Sequence, residues 1–201
     1  MSKVYDYPDV RVIRTRKLLK STLLSLLDVK PFDEIKIKEI AEKAGVNRVT
    51  YYDHYSSKGE LLSELISDVL SEYEDIIEGM QGVTHSQRPS AKYMKTIRLS
   101  VGHIKKHCDF YKIMLLTHGV PDFSNRLHEQ MSQSLHHVMY RMNHVHPDIE
   151  SDVLVNWIIG GVIGVYKYWL QNGMRQSEEE ISRQLLKITL ASAQVFNSHK
   201  Y

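Results

Sequence analysis

The stretch that decides the fold runs from position 36 to position 58 and reads Lys36-Ile-Lys-Glu-Ile-Ala-Glu-Lys-Ala-Gly-Val-Asn-Arg-Val-Thr-Tyr-Tyr-Asp-His-Tyr-Ser-Ser-Lys58. In its first half, apolar residues recur at helical spacing, so one face of a short helix is apolar while charged residues face water. Gly45 follows, and a glycine just past a helix can take a positive φ without a Cβ clash. Asn47 is then placed to cap a second short helix. The stretch therefore predicts two short helices joined by a sharp turn.

Positive charge concentrates around this stretch. The net charge of the chain is only +2, but residues 10 to 52 contain ten basic side chains and five acidic ones. Binding to phosphates gains free energy from counterion release and needs positive charge only where the nucleic acid lies. Lysines that merely solvate helix surfaces produce the same excess. Its coincidence with the turn motif is what favours nucleic-acid binding.

The same stretch resembles the DNA-binding domain of the TetR family of bacterial transcription regulators. The residues that match the family pattern are Ile40-Ala41, Ala44-Gly45-Val46, Thr50-Tyr51-Tyr52, His54-Tyr55, Lys58, Leu61 and Leu62. The chain departs from that pattern at Lys36, Val49 and Asp53, where the family commonly has threonine, glycine and an aromatic residue. A weaker resemblance, from Gly160 to Met174, is to the C-terminal domain of one large branch of the family.

The second short helix carries the predicted contacts with DNA. Arg48, Val49 and Thr50 are expected to face base edges in the major groove, because arginine bonds guanine through two acceptors and threonine offers a hydroxyl and a methyl group. Tyr52, His54 and Lys58 are placed by the resemblance to bond phosphates. The full predicted DNA-binding set is Lys36, Asn47, Arg48, Val49, Thr50, Tyr52, His54 and Lys58. Tyr51 and Tyr55 are predicted to pack in the core instead.

Beyond this motif the whole chain reads as helices, which predicts an all-α protein. We expect an N-terminal three-helix DNA-binding domain with a helix-turn-helix at residues 1–57, a connecting helix at 58–78, and a C-terminal helical ligand-binding and dimerisation domain at 79–201. The first helix is predicted over about 10–29, with Ile13 in its buried stripe. Later helices are predicted at about 90–107, 109–117, 121–145, 149–172 and 177–198. The last should start at a capping box formed by Ser177 and Glu180.

Two regions of the C-terminal part suggest partners. A homodimer through the last two helices follows from their apolar stripes and from the resemblance, although a core helix within one chain would look similar. The predicted dimer residues are Val153, Trp157, Gly161, Val165, Ile181, Leu185, Ile188, Ser192 and Phe196. The family's second domain encloses an effector pocket, and methionine and aromatic residues suit an adaptable apolar cavity, although they also suit an ordinary core. The predicted pocket residues are Tyr93, Ile97, Phe110, Tyr111, Met114, Met131, Leu135, Met139 and Trp157.

Several other classes of function are not expected. No run approaches about 18 consecutive apolar residues and the N-terminus lacks an apolar secretion segment, so we expect a cytoplasmic protein without a membrane partner. No phosphate loop, nucleophile elbow or catalytic triad spacing is present, so we expect no enzyme. The single Cys108 excludes a cysteine-based zinc site. His103 and His107 stand four apart on one helix face, but no carboxylate nearby in sequence completes a metal-ligand spacing, so neither a metal nor a cofactor is expected.

The resemblance thus implies a transcription regulator, expected to be a repressor that binds a palindromic operator as a homodimer and is released by an unknown small-molecule effector. One alternative keeps the fold but makes the protein an activator or a regulator controlled by a protein partner. The other is an interaction protein that has lost DNA binding, to which Val49 and Asp53 are the only pointers.

Overall fold

The computed structural model describes residues 10–78, 89–117, 120, 123–141 and 149–195, and these contain nine α-helices and no strand. The helices are α1 Val10–Leu27, α2 Ile37–Lys43, α3 Arg48–His54, α4 Lys58–Glu78, α5 Pro89–Lys106, α6 Cys108–Leu116, α7 Phe123–Arg141, α8 Ser151–Gln171 and α9 Glu178–Val195, with a 3₁₀ turn at Phe32–Glu34. The prediction of an all-α fold is therefore confirmed.

The first three helices pack around a small core that α4 completes. The buried residues at its centre are Leu19, Leu23 and Leu27 of α1, Ile40 of α2, Tyr51 and Tyr55 at α3, and Leu61 of α4. Each of them is at most 2% exposed, which is the burial predicted for the two tyrosines. The prediction that Ile13 is buried is wrong, because its side chain is 51% exposed. It lies at a groove between α1, α4 and α6 that no described residue fills, so its helical spacing alone overstated its burial.

The turn between α2 and α3 has the predicted cause. Gly45 has φ +68°, in the left-handed region that favours glycine. The amide of Gly45 donates to the carbonyl of Glu42 at 3.1 Å, and the amide of Val46 donates to that of Ala41 at 3.0 Å. These two bonds form a Schellman motif, which satisfies carbonyls that the helix end leaves unpaired. The short loop sets the direction in which α3 leaves α2.

The later helices form a second bundle. α5 packs along α9, while α6 and α7 pack against α8. Tyr166 and Trp169 of α8 lie at its centre and are nearly fully buried. The predicted capping box of α9 is confirmed: the amide of Glu180 donates to Ser177 Oγ at 3.2 Å, and the amide of Ser177 donates to Glu180 Oε2 at 2.8 Å. α4 packs on α1 and also on α5 and α7, so it belongs to both bundles.

One described helix, α8, is long and apolar enough to cross a membrane by length and composition, with a mean hydropathy of 1.4. A single helix of this kind is weak evidence for a membrane span, because core helices pass the same test. In α8 the apolar character has two local sources. One face packs into the bundle through Val155, Ile159 and Ile163, and another presents Val153, Trp157 and Tyr168 at the surface.

Candidate nucleic-acid interface and regulatory sites

The outward face of α3 is formed by residues one helical turn apart. Arg48, Val49, Tyr52 and Asp53 are exposed, whereas Tyr51 is fully buried and anchors the helix. The Tyr51 hydroxyl donates to the carbonyl of Ser57 at 3.1 Å, which ties the helix to the start of α4. The face therefore includes Asp53, whose carboxylate would repel a phosphate, next to groups able to bind DNA.

Arg48 and Tyr52 form a pair on this face. Nη2 of Arg48 donates to the Tyr52 hydroxyl at 3.2 Å, and the guanidinium carbon lies 5.5 Å from the centre of the tyrosine ring. Stacking on an aromatic ring restrains the guanidinium without using all of its donors. Arg48 is thus held over the exposed end of α3 with donors still available. Tyr52, predicted from the resemblance as a phosphate ligand, also acts here as the support for Arg48.

The other predicted DNA-binding residues of this region occupy different settings. Asn47 caps α3 as predicted, because its Oδ1 accepts from the amide of Thr50 at 2.7 Å. Thr50 and His54 are partly buried, so they project less than Arg48. Lys36 is exposed at the residue before α2 and makes no side-chain cap bond there. Lys36 therefore keeps its charge at the surface beside the helix-turn-helix.

Lys58 is arranged differently from the prediction that it bonds phosphate. Its Nζ donates to three backbone carbonyls, those of Phe32 at 2.8 Å, Asp33 at 2.9 Å and Ile35 at 2.9 Å. It also lies 4.6 Å from the centre of the Phe32 ring. A lysine ammonium has three protons to donate, so all are engaged. The physical reason for the difference is that the 3₁₀ turn before α2 presents these carbonyls to the first residue of α4.

Ion pairs join α1 to α4 next to the helix-turn-helix. Arg16 and Lys20 of α1 both pair with Glu64 of α4, and Lys20 also pairs with Asp68. Partial burial alone would raise the pKa of Glu64, but the bonds from Lys20 and the charge of Arg16 lower it overall. Arg16 also donates to the Tyr55 hydroxyl at 3.3 Å. Three ion pairs thus link α1 to α4.

The second bundle contains a small cavity of about 90 Å³. The described residues that line it are Tyr73, Thr96, Ile97, Ser100, Met131, Ser134, Leu135, Ile158, Ile159, Val162, Tyr166, Leu185 and Thr189. None of them carries a charge. Tyr73, Ser100 and Tyr166 form a buried hydroxyl chain, with 3.1 Å between Tyr73 and Ser100 and 2.6 Å between Ser100 and Tyr166. Burial raises the pKa of both tyrosines, so they stay neutral.

The predicted pocket residues divide into three groups. Ile97, Met131 and Leu135 line the cavity. Phe110, Tyr111 and Met114 do not line it, because they are buried in the core around α6, where the rings of Phe110 and Tyr111 contact each other and Phe123. The prediction that Trp157 lines the pocket is also wrong, because its side chain is 57% exposed on the outer face of α8. The side chains of Tyr93 and Met139 lie outside the described part of the chain.

The hydroxyl chain was not predicted from the sequence. Tyr73, Ser100 and Tyr166 are far apart along the chain, and single serines and tyrosines in helices carry no spacing signal.

The predicted dimer residues also divide between surface and interior. Val153, Trp157 and Gly161 of α8 and Ile188 of α9 are exposed, and Val165 is partly buried. The prediction that Ile181 and Leu185 lie at the dimer interface is wrong. They are 2% and 3% exposed and pack within the chain, because this face of α9 covers α5. The side chain of Ser192 and the whole of Phe196 lie outside the described residues.

The exposed apolar residues of α8 form one stripe. It consists of Val153, Trp157, Gly160, Gly161, Gly164 and Tyr168, which lie three or four residues apart except for the adjacent Gly160 and Gly161. A Cβ added at any of the three glycines would meet no atom of the described residues within 4 Å. We call this set the α8 stripe. Packing among the residues that the structure describes does not require these glycines, and they leave room for a close approach by another helix.

Comparison with known proteins agrees with this geometry. Residues 21–65 match the family model described as bacterial regulatory proteins of the tetR family, and residues 93–190 match the model described as a transcriptional regulator C-terminal region. The chain therefore belongs to the TetR family of transcription regulators, which bind DNA. The first match contains the helix-turn-helix and the first turns of α4, and the second contains α6, α7, α8 and most of the cavity.

Similar proteins include regulators of Bacillus subtilis (strain 168). The chain is 26% identical over 181 residues to the uncharacterized HTH-type transcriptional regulator YxbF, a match that covers 89% of this chain and 45% of YxbF. The chain thus spans less than half the length of that relative.

Among solved structures, the dihydroxyacetone kinase operon activator DhaS superposes with a TM-score of 0.60 at 16% identity, covering 92% of this chain and 98% of that one. The transcriptional regulator FadR from Bacillus subtilis, solved in complex with stearoyl-CoA, superposes with a TM-score of 0.67 at 12% identity, covering 87% of this chain and 97% of that one. At these identities the two structures support the fold alone.

Proposed function

We propose that this TetR-family regulator acts as a homodimer that binds a palindromic operator through α3 and represses transcription until a small apolar effector enters the second bundle. The observation that carries the proposal is the Arg48 and Tyr52 pair, displayed on an exposed helix that the buried Tyr51 anchors. A guanidinium with free donors on such a helix suits the acceptors of guanine in the major groove.

The α8 stripe supports the dimer. One short helix reads few base pairs, and two copies related by two-fold symmetry address half-sites about 34 Å apart or a multiple of that distance. The stripe is apolar, extends along most of α8, and contains three glycines that allow close packing of a second copy. We infer that two α8 helices meet across the dimer axis, with the exposed part of α9 around Ile188 beside them.

The cavity supports an apolar effector that bears a hydrogen-bonding group. Its described lining is apolar apart from hydroxyls, and the Tyr73, Ser100 and Tyr166 chain offers donors and acceptors without charge. At about 90 Å³ it is smaller than the roughly 300–1,000 Å³ of most ligand pockets. A ligand that needs a pocket of roughly 300–1,000 Å³ must therefore move the lining helices apart. Because α4 contributes Tyr73, such a movement would change the position of the helix that starts next to α3, and so the population of DNA-binding conformers.

A DNA-binding assay with the purified chain tests the proposal. Operator fragments are selected from random duplexes and then labelled for fluorescence anisotropy. We expect binding of two chains per palindrome and a steep loss of affinity as salt rises. Arg48→Ala should weaken specific binding by roughly 5- to 150-fold per half-site, from the 1–3 kcal/mol of one bidentate base contact. Tyr52→Phe should weaken it less than Tyr52→Ala, since phenylalanine keeps the stack under Arg48.

Selection that enriches no sequence, with binding to random duplexes that is equally weak at low and moderate salt, would favour the interaction protein that has lost DNA binding. An activator remains the second candidate for the direction of control, because the structurally similar DhaS is named an operon activator. A reporter gene placed behind the selected operator distinguishes the two directions. The same proposal includes a cytoplasmic location and no catalytic activity.

A further inference from the structure

A cluster of three possible metal ligands lies where α4 meets the corner between α5 and α6. Glu72 of α4, His103 of α5 and His107 at the corner each place one donor atom within 4.8 Å of the others. The two imidazole rings lie 4.7 Å apart, centre to centre, as expected for histidines one helical turn apart. The sequence predicted no metal because it offered no carboxylate at a ligand spacing. The fold supplies one from a helix 31 residues earlier in the chain.

Two of these ligands already make contact. His107 Nε2 lies 2.8 Å from Glu72 Oε2, and the other carboxylate oxygen of Glu72 pairs with Lys106. The pKa of Glu72 is lowered, first by the bond from Lys106 and then by His107, so it is a carboxylate at neutral pH. An ionised carboxylate and a neutral imidazole are the forms that ligate a divalent cation.

His103 is the third ligand, and its setting points to a missing partner. It is only 3% exposed, and its Nε2 has no hydrogen-bond partner among the described residues. Its Nδ1 lies 3.2 Å from the Tyr111 hydroxyl. Burial lowers the pKa of His103 to about 4, with His107 acting in the same direction and Glu72 and the backbone of Val69 against it.

The bond to Tyr111 also favours coordination. If Nδ1–H donates to the Tyr111 oxygen, Nε2 presents its lone pair. Metal-bound histidines usually carry this kind of outer hydrogen bond, because it fixes both the tautomer and the orientation of the ring.

We propose that Glu72, His103 and His107 form a binding site for a divalent transition-metal cation of the Zn²⁺ type. Two imidazoles and one carboxylate are a donor set that zinc takes in proteins, with water in the fourth position. Zinc bonds of about 2.0–2.2 Å place tetrahedral donors about 3.3–3.5 Å apart. The 2.8 Å contact between His107 and Glu72 must therefore open slightly, and the widest pair must close. The cation takes the place of the hydrogen between His107 Nε2 and Glu72 Oε2, which requires the neutral His107 ring to carry its proton on Nδ1, while Lys106 keeps the second carboxylate oxygen.

The site has a regulatory consequence, which rests on the proposed function. Its ligands come from α4 and from the α5–α6 corner, so a cation would hold these elements together. Glu72 directly precedes Tyr73, which lines the cavity. The cation would thus restrain the helix that both the cavity and α3 depend on, and we expect it to change the affinity for the operator.

Cation binding is tested first, without DNA. The full chain, purified without a polyhistidine tag, is stripped with a chelator and titrated with ZnCl₂ by calorimetry and with Co²⁺ by visible absorption. We expect one cation per chain and the intense visible bands of four-coordinate cobalt. Glu72→Gln and His107→Gln, both at partly exposed positions, should each weaken binding at least about tenfold. His128→Gln is the matched control, since its Nε2 makes a 2.8 Å contact with Asn156 on the helix surface without a carboxylate.

If the chain shows no saturable cation binding, the site is overturned. It is also overturned if Glu72→Gln and His107→Gln both bind the cation as tightly as the wild type, or if His128→Gln weakens binding as much as they do. Circular dichroism confirms that each variant is folded. The regulatory consequence is tested separately by operator binding with and without Zn²⁺. We expect Zn²⁺ to change the operator affinity of the wild type at least about threefold and to leave that of Glu72→Gln unchanged. Equal operator affinities of the wild type with and without Zn²⁺ would overturn the regulatory consequence. Cation binding without DNA and DNA binding without cation are independent readouts, so the site and the proposed function can fail separately.

Discussion

At the scale of single residues, Lys36 and Lys58 carry the same charge in two different settings. Lys36 is exposed beside α2, whereas the ammonium of Lys58 is surrounded by three carbonyls of the preceding turn. The resemblance to the family treats both as possible phosphate contacts. Charge in the sequence does not reveal whether backbone acceptors already occupy a lysine, because those acceptors come from a turn 23 to 26 residues away.

Replacing Lys58 with methionine should destabilise the fold. Methionine keeps the apolar stem over Phe32 but leaves three carbonyls without their donor, at a cost of about 1–3 kcal/mol. For a chain of this size each kcal/mol lowers the melting temperature by about 2–4 °C, which thermal denaturation followed by circular dichroism measures.

Lys36→Met serves as the control for this substitution. It should leave the melting temperature unchanged, weaken DNA binding and reduce the salt dependence by about one phosphate contact. If Lys58→Met instead melts like the wild type and alters only the salt dependence, Lys58 is a phosphate ligand after all.

At the scale of the elements, the interface between α1 and α4 depends on ionised Glu64. The folded-state pKa of this carboxyl lies below its unfolded value of about 4.3. A depressed carboxyl pKa stabilises the fold above the unfolded pKa, and this contribution is lost as the pH falls through the folded pKa. The ion pairs of α1 with α4 should therefore weaken selectively in acid.

Glu64→Gln tests this dependence. Urea denaturation at pH 6 should find the variant less stable than the wild type, and the difference should be smaller at pH 3, because the contribution is lost as the pH falls through the lowered folded-state pKa of Glu64. The control is Glu74→Gln, at an exposed position of the same helix, which should change stability little at either pH. A difference that stays constant from pH 6 to pH 3 would mean that shape, and not charge, matters at this position.

The sequence was sufficient for elements whose signals are local. The turn at Gly45, the Asn47 cap and the Ser177 capping box each involve residues within about five positions, and all three are confirmed. Contacts between distant segments gave no such signal. Glu72 reaches His107 and Tyr73 reaches Ser100 only after the helices have packed. The sequence also does not separate Phe110 from Met131. Both are large apolar residues in helices, but Phe110 packs in the core and Met131 lines the cavity.

At the scale of the whole molecule, the α8 stripe predicts how two chains associate. Val153→Glu places a charge on the stripe at a position 59% exposed in the single chain, so the fold should be kept while the dimer weakens at least about tenfold. Sedimentation at several concentrations measures the dissociation constant. Val29→Glu is the matched control, because Val29 is also a largely exposed valine but lies outside the stripe. A dimer equally stable in both variants would assign association to another surface.

The long helix α4 connects the cavity to the helix-turn-helix. Its 21 residues form one uninterrupted helix from the end of the helix-turn-helix to the second bundle, and at 1.5 Å per residue it measures about 30 Å. A rigid rod of about 30 Å that tilts by about 5° at one end moves its far end by roughly 2–3 Å. Because Tyr73 lies towards one end of α4 and Lys58 at the other, we expect a tilt of this size, imposed at the cavity wall, to shift α3 relative to the major groove.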